Sequence, residues 1–98
     1  MMAWTTVSSK EEGVRLIQAL LELSLIACGQ ISGPIISCYK WQGKIINDQE
    51  WRINLKFPRH KAREIKKHLK TNHPYEIPQW VEIECNTTNE YGKWVDEI

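Results

Sequence analysis

The chain has 98 residues, a formal net charge of +1 at pH 7 and five Trp. That length limits it to a single domain over residues 1–98 with a thin core, because so short a chain buries only about 60–65% of its unfolded surface. The near-zero charge excludes a global field that would recruit nucleic acid or an acidic partner, and five Trp, each able to bury on the order of 200 Å², exceed what one small core hides, so some are expected at a subunit interface or in a ligand cleft.

Residues 2–7 are rich in β-branched and aromatic types and read as a strand. Ser9-Lys10-Glu11-Glu12 has capping-box spacing and opens a helix. Val14, Ile17, Leu21 and Leu25 form its apolar stripe, Leu16, Leu20 and Leu23 lie beside it, and Gly29 supplies the stop. The apolar run from Leu16 to Cys28 is interrupted by Gln18, Glu22 and Ser24 and is too short and polar to span a bilayer.

Gly33-Pro34 marks a kink or bulge early in the next element. From Ile35 the chain alternates, with Ile35, Ser37, Tyr39 and Trp41 pointing one way and Ile36, Cys38 and Lys40 the other. Gly43 and Asn47-Asp48 offer turn chemistry. Trp51, Ile53, Leu55 and Phe57 then alternate with Arg52, Asn54 and Lys56, the clearest period-two signal in the chain. Together these stretches predict one long β-hairpin.

Pro58 ends the strand and suits the first turn of a helix whose stripe is Ala62, Ile65 and Leu69. Pro74 stops that helix. Residues 77–85 predict a fourth strand, with Ile77, Val81 and Ile83 on one face and Trp80, Glu82 and Glu84 on the other. Thr88 or Asn89 caps a short last helix holding Tyr91, Trp94 and Val95. The order is β-α-β-β-α-β plus a terminal helix, an α+β ferredoxin-like arrangement with both main helices on one sheet face. The opposite face needs a cover, which subunit association would provide.

Charge is unevenly placed. Arg59, Lys61, Arg63, Lys66, Lys67 and Lys70 crowd one segment against Glu64, and Glu82, Glu84, Glu90, Asp96 and Glu97 crowd the tail against Lys93. The two patches either face one another in an oligomer or are solvated. An RNA-binding sheet needs paired aromatics in a Lys/Arg-Gly-Phe type motif, which this sequence lacks, so the basic helix reads as a solvated face.

Cys28, Cys38 and Cys85 are odd in number and widely spaced, which argues against a disulfide framework and points to a reducing, cytoplasmic setting. Each sits among apolar neighbours and reads as a small buried hydrophobe, with soft ligation of Cu(I) as the functional alternative. There is no Gly-rich phosphate loop and no Cys-x-x-Cys or His-x-x-x-His zinc pattern. His60, His68 and His73 do not stack on one helical face.

Two segments concentrate polar and aromatic groups. Tyr39-Lys40-Trp41-Gln42-Gly43-Lys44 places two large aromatics, a flexible Gly and a cation at a hairpin; His73-Pro74-Tyr75-Glu76-Ile77-Pro78 is a twice-proline loop with an imidazole, a phenol and a carboxylate. Two readings stand level: the aromatics cover apolar surface and the prolines aim a strand, or the segments meet at a cleft that binds a small anion, a metal or a peptide.

With Thr5-Thr6-Val7-Ser8, Glu11-Glu12, Leu25-Ile26-Ala27-Cys28 and the Tyr91/Trp94 pair, those two segments make the chain resemble the CutA divalent-cation tolerance family along nearly its whole length. The resemblance implies a tight homotrimer whose long hairpins extend sheets between subunits, a link to tolerance of copper and other divalent cations, and no catalytic activity. The two polar-aromatic segments set the expected intersubunit cleft for a metal ion or small ligand near Tyr39, Trp41, Lys44, His73, Tyr75 and Glu76, and the resemblance implies a metal role for Cys28, the one counterpart of the family's metal-binding cysteines. Gly29-Gln30 and Glu82-Ile83-Glu84-Cys85 depart from the family pattern. The alternative function is a non-catalytic trimeric scaffold or signalling protein, similar to nitrogen-regulatory trimers, with an unidentified protein partner. No membrane or nucleic-acid partner is expected. An enzyme would rest on His73 and Glu76 alone, neither with a visible partner to tune it.

Overall fold

Ser9 starts the first helix as its spacing predicts: its hydroxyl accepts from the Glu12 backbone N–H at 3.2 Å. The return arm of the capping box lands elsewhere, since the Glu12 carboxylate accepts from Ser8 Oγ at 2.9 Å. The structure, a computed structural model describing residues 1–98, runs β1 (Met2–Val7), α1 (Lys10–Glu22), β2 (Cys28–Trp41), β3 (Lys44–Lys56), a 3-10 turn (Arg59–Lys61), α2 (Ala62–Asn72), β4 (Val81–Ile83) and α3 (Asn89–Asp96). The strands form one sheet in the order β2-β3-β1-β4, and every neighbouring pair is antiparallel. This is the expected α+β, split βαβ arrangement.

α1 ends well before Gly29. Ser24 takes φ 56°, and the Ser24 and Leu25 N–H groups close back on the carbonyls of Leu21 and Leu20 at 3.0 Å each. That is a Schellman closure with Ser in the left-handed position usually given to Gly. Leu25 is therefore core, but as a residue of the connection rather than of the helix, and β2 already begins at Cys28. The helix buries Gly13, Leu16, Ile17 and Leu20, whereas Val14, Leu21 and Leu23 are exposed; the buried stripe is narrower than the apolar pattern implies.

One cluster of 13 buried residues joins α1 and α2 to the sheet, among them Ala3 and Val7 of β1, Ile53 and Leu55 of β3, and Ile65 and Leu69 of α2. The period-two reading of β3 holds: Ile53, Leu55 and Phe57 are fully buried, and Trp51 packs partly buried against them. The β2–β3 turn is Gln42-Gly43, with φ 51° and 79° between the paired Trp41 and Lys44, as a two-residue type I′ turn requires. Asn47 and Asp48 are not turn residues; they sit inside β3 opposite Cys38 and Ser37. Gly33 and Pro34 together oppose Trp51, a two-against-one bulge. Gly33 has φ 154°, and a Cβ there would lie 2.9 Å from the Trp51 ring, so the bulge needs glycine.

β4 is shorter than expected, Val81–Ile83 rather than 77–85. Ile77 is off the strand and exposed, because Pro78 cannot donate to a ladder. Trp80 packs on Phe57 with ring centroids 6.0 Å apart, and Glu82 accepts from Lys66 of α2 at 2.8 Å. Val81 and Ile83 stay exposed. Thr88 caps α3, accepting from the Tyr91 N–H at 3.3 Å. No helix is long and apolar enough to cross a membrane.

Gly29 tests the packing of α1 on β2. A Cβ there would lie 2.7 Å from Ile17 Cγ2, and relief of such a clash typically costs about 1–3 kcal/mol. Gly29→Ala is expected to lower the denaturant midpoint with an unchanged slope. Adding Ile17→Ala should cost less than the sum of the two changes; strict additivity would mean that the clash is not with Ile17.

Candidate functional site

The two segments singled out in the sequence lie on one cleft of about 770 Å³ between the β2–β3 hairpin and the loop after α2. Tyr39, Trp41, Tyr75 and Glu76 line it; Lys44 and His73 do not. Lys44 sits past the turn, paired with Trp41 at the hairpin's far end. His73 lies beneath the cleft and is buried.

His73 explains why the loop stands where it does. Pro74 forces the residue before it out of helical geometry, and His73 is extended, at φ −74° and ψ 138°. Its Nε2 is 2.9 Å from the Thr6 carbonyl oxygen, and its Nδ1 accepts from the Tyr75 N–H at 3.0 Å. A carbonyl only accepts and an amide N–H only donates, so the ring is the neutral Nε2–H tautomer, with Thr5 Oγ1 at 3.4 Å as a further contact. Burial holds its pKa below the usual histidine range, against the opposing pull of the Thr6 hydrogen bond, Glu12 and Glu50.

The Tyr75 ring packs on His73 with centroids 4.9 Å apart. Its hydroxyl donates to Glu50 Oε2 at 2.7 Å, tying the loop to β3. Burial, and then the Glu50 carboxylate, raise the Tyr75 phenol well above the usual tyrosine range. Across the hairpin, the Tyr39 hydroxyl donates to Asp48, and that bond is the main reason the Tyr39 phenol is also raised.

Sequence reasoning missed Glu50 and Asp48. Both line the cleft, yet Asp48 reads as a turn residue and Glu50 falls between the turn signal and the period-two run. In the ladder Glu50 faces Ile35, just past the Gly33-Pro34 bulge, where a strand re-aims its side chains, a pairing the sequence does not display.

The cysteines depart from the buried reading. Cys38 and Cys85 are exposed and Cys28 is half-buried, because Cys38 lies on the projecting hairpin and Cys85 beyond the short β4. Burial first, then Cys28 and Cys85, raise the Tyr91 phenol above the usual tyrosine range. No group of three His, Cys, Asp or Glu side chains converges as a metal shell in this chain, so Cys28 alone does not complete a site for a metal. The basic and acidic patches partly meet within the chain, Arg59 with Glu84 and Lys66 with Glu82.

The neutral His73 gives a pH dependence of known sign. The unfolded chain takes up a proton near pH 6.5 and the folded chain only below that, so the unfolded state binds more protons between the two values. Stability is fully present above about pH 6.5 and falls as pH drops through that window. Melting at pH 7.5 and pH 5 is expected to show a larger loss for the natural chain than for His73→Gln, which keeps a donor for the Thr6 carbonyl. Equal losses would mean that His73 is not held neutral.

The same architecture and motifs recur among known proteins. The family described as CutA1 divalent ion tolerance protein matches residues 1–98. The chain is 36% identical over 93 residues to the divalent-cation tolerance protein CutA of Thermus thermophilus, covering 94% of this chain and 90% of that one. It is 33% identical over 97 residues to CutA of Pyrococcus horikoshii, covering 98% and 94%. Among solved structures, the Thermus thermophilus Cut A1 protein superposes with a TM-score of 0.92 at 33% identity, over 99% of this chain and 97% of that one. CutA of Synechococcus elongatus does so at 0.89 and 33%, over 96% and 84%. With its whole length matched, solved structures superposing at TM-scores of 0.89 and 0.92 and relatives above 30% identity, the chain belongs to the CutA1 divalent ion tolerance family.

Proposed function

We propose that this chain acts as a non-catalytic binding protein in divalent-cation tolerance, assembled as a cytoplasmic homotrimer that takes a small ligand at a cleft between subunits. The observation that carries the reading is surface a lone chain leaves unmatched. Ile36 and Ile45 on the hairpin are 69% and 78% exposed, and Val81 and Ile83 stand exposed on β4. Exposed apolar patches of this kind mark interfaces, and three copies is the number the family resemblance implies.

The cleft is the binding site in this reading, with Tyr39, Trp41, Tyr75 and Glu76 in its wall. His73 positions the loop rather than touching ligand, and Lys44, at the far end of the hairpin, does not line the cleft. The absence of catalysis is supported by His73: both ring nitrogens are engaged by backbone groups, which leaves no free nitrogen to move a proton. Three free thiols fit a reducing compartment. A copper reading rests on Cys28, the cysteine to which the family resemblance points, and needs further donors from a neighbouring copy, since Cu(I) takes soft thiolate or thioether ligands.

Light scattering at micromolar concentration is expected to give the mass of three chains, and Val81→Lys with Ile83→Glu is expected to lower it. A monodisperse monomer from the natural chain would overturn the assembly. Titration with Cu(I) and Zn(II), repeated on Cys28→Ala, tests the copper reading; unchanged binding in that variant would remove Cys28 from it.

A further inference from the structure

The cleft has a one-sided charge. Asp48, Glu50 and Glu76 line it, and no Lys, Arg or His does. Asp48 and Glu76 are exposed and solvated. Glu50 is different: it is only 8% exposed, and the other buried polar residues, Thr5, Thr6 and His73, are neutral. A carboxylate is rarely buried to that degree without a cation beside it, because desolvating an unpaired charge is costly. Its side-chain hydrogen bond is to a neutral phenol, Tyr75, and neither of the chain's two ion pairs includes it.

The missing positive charge is not well supplied by a bare metal ion. Hard divalent cations take six or more oxygen ligands in a tight shell, and the three carboxylates do not converge into such a group. The cleft's volume of about 770 Å³ falls in the range of small-molecule sites, roughly 300–1,000 Å³. Its walls include the rings of Tyr39, Trp41 and Tyr75, and aromatic faces attract cations and cover apolar stems.

We propose that the cleft binds an organic cation, a primary ammonium or guanidinium on an apolar stem, with the charged head on the buried Glu50 carboxylate and the stem against Trp41 and Tyr39. This rests on the reading of the cleft as the ligand site and adds the class of ligand. A head with N–H donors matches Glu50 both as a charge and as a hydrogen-bond acceptor. A quaternary ammonium would satisfy the charge alone and is the weaker ligand.

Isothermal titration calorimetry on the natural chain, with its mass first measured by light scattering, tests the proposal. The probes are agmatine, choline and glutarate, with Zn(II) as the metal arm. Agmatine is expected to bind saturably and more weakly as salt rises, choline less tightly, and glutarate not at all. Glu50→Gln is expected to weaken agmatine at least about tenfold, the effect of losing about 1.4 kcal/mol, with mass and circular dichroism unchanged. Trp41→Ala, on the hairpin outside the core cluster, is a second variant that should also weaken it with mass and circular dichroism unchanged. Agmatine binding that ignores both substitutions overturns the proposal. Saturable glutarate or Zn(II) binding in place of agmatine, lost on Tyr75→Phe, overturns the ligand class and leaves the cleft as the site. Binding of none of the four to a trimer overturns both.

Discussion

β3 is held to two neighbours, β1 over Trp51–Lys56 and β2 over nearly its whole length. Its inner half sends Ile53 and Leu55 into the core; its outer half forms the hairpin and carries Asp48 and Glu50 on the cleft. Because strand side chains alternate with period two, a one-residue slip of β3 would turn Ile53 and Leu55 outward and carry Glu50 away from Tyr75. Core and cleft therefore depend on one register. Three devices fix it: the Gln42-Gly43 turn, the bulge at Gly33-Pro34 against Trp51, and the apolar alternation of the inner half.

The loop after α2 is fastened to that register from below. His73 bonds the β1 backbone at Thr6 through one ring nitrogen and the loop backbone at Tyr75 through the other. Tyr75 then reaches Glu50 on β3. Protonating His73 would set two N–H groups against one another at Nδ1, releasing the loop where it meets the cleft. A stability effect and a site effect thus share one imidazole, and the ring acts on the cleft without lining it.

The strongly periodic parts of the sequence read correctly. Ile53-Leu55-Phe57 and Ala62-Ile65-Leu69 name the buried faces because one side chain in two, or one in three to four, must meet the core. The sheet order follows from the β-α-β-β-α-β sequence of elements. What failed was local chemistry overridden by longer-range pairing. Ser24 ended α1 in the left-handed role assigned to Gly29, Asn47-Asp48 were drawn into the ladder by the tighter Gln42-Gly43 turn, and Pro78 cut β4 short. In the candidate site, Tyr39, Trp41, Tyr75 and Glu76 were legible as dense polar-aromatic motifs. Glu50 was not, since its weight comes from burial and from its bond to Tyr75, 25 positions away, which no local pattern encodes.

The electrostatics give the cleft its character by elimination. Much of the positive charge on α2 faces solvent, and Lys66 and Arg59 meet Glu82 and Glu84. Such exposed pairs contribute little, typically under about 1 kcal/mol, and no Lys, Arg or His lines the cleft. Glu50 is on the opposite footing, buried and facing only a phenol. A cationic occupant would give that carboxylate a charged partner beside the Tyr75 hydroxyl from which it already accepts. The register of β3 thus does more than close a core: it holds a desolvated carboxylate at the mouth of an aromatic-walled space, the arrangement in which one added positive charge has its largest effect.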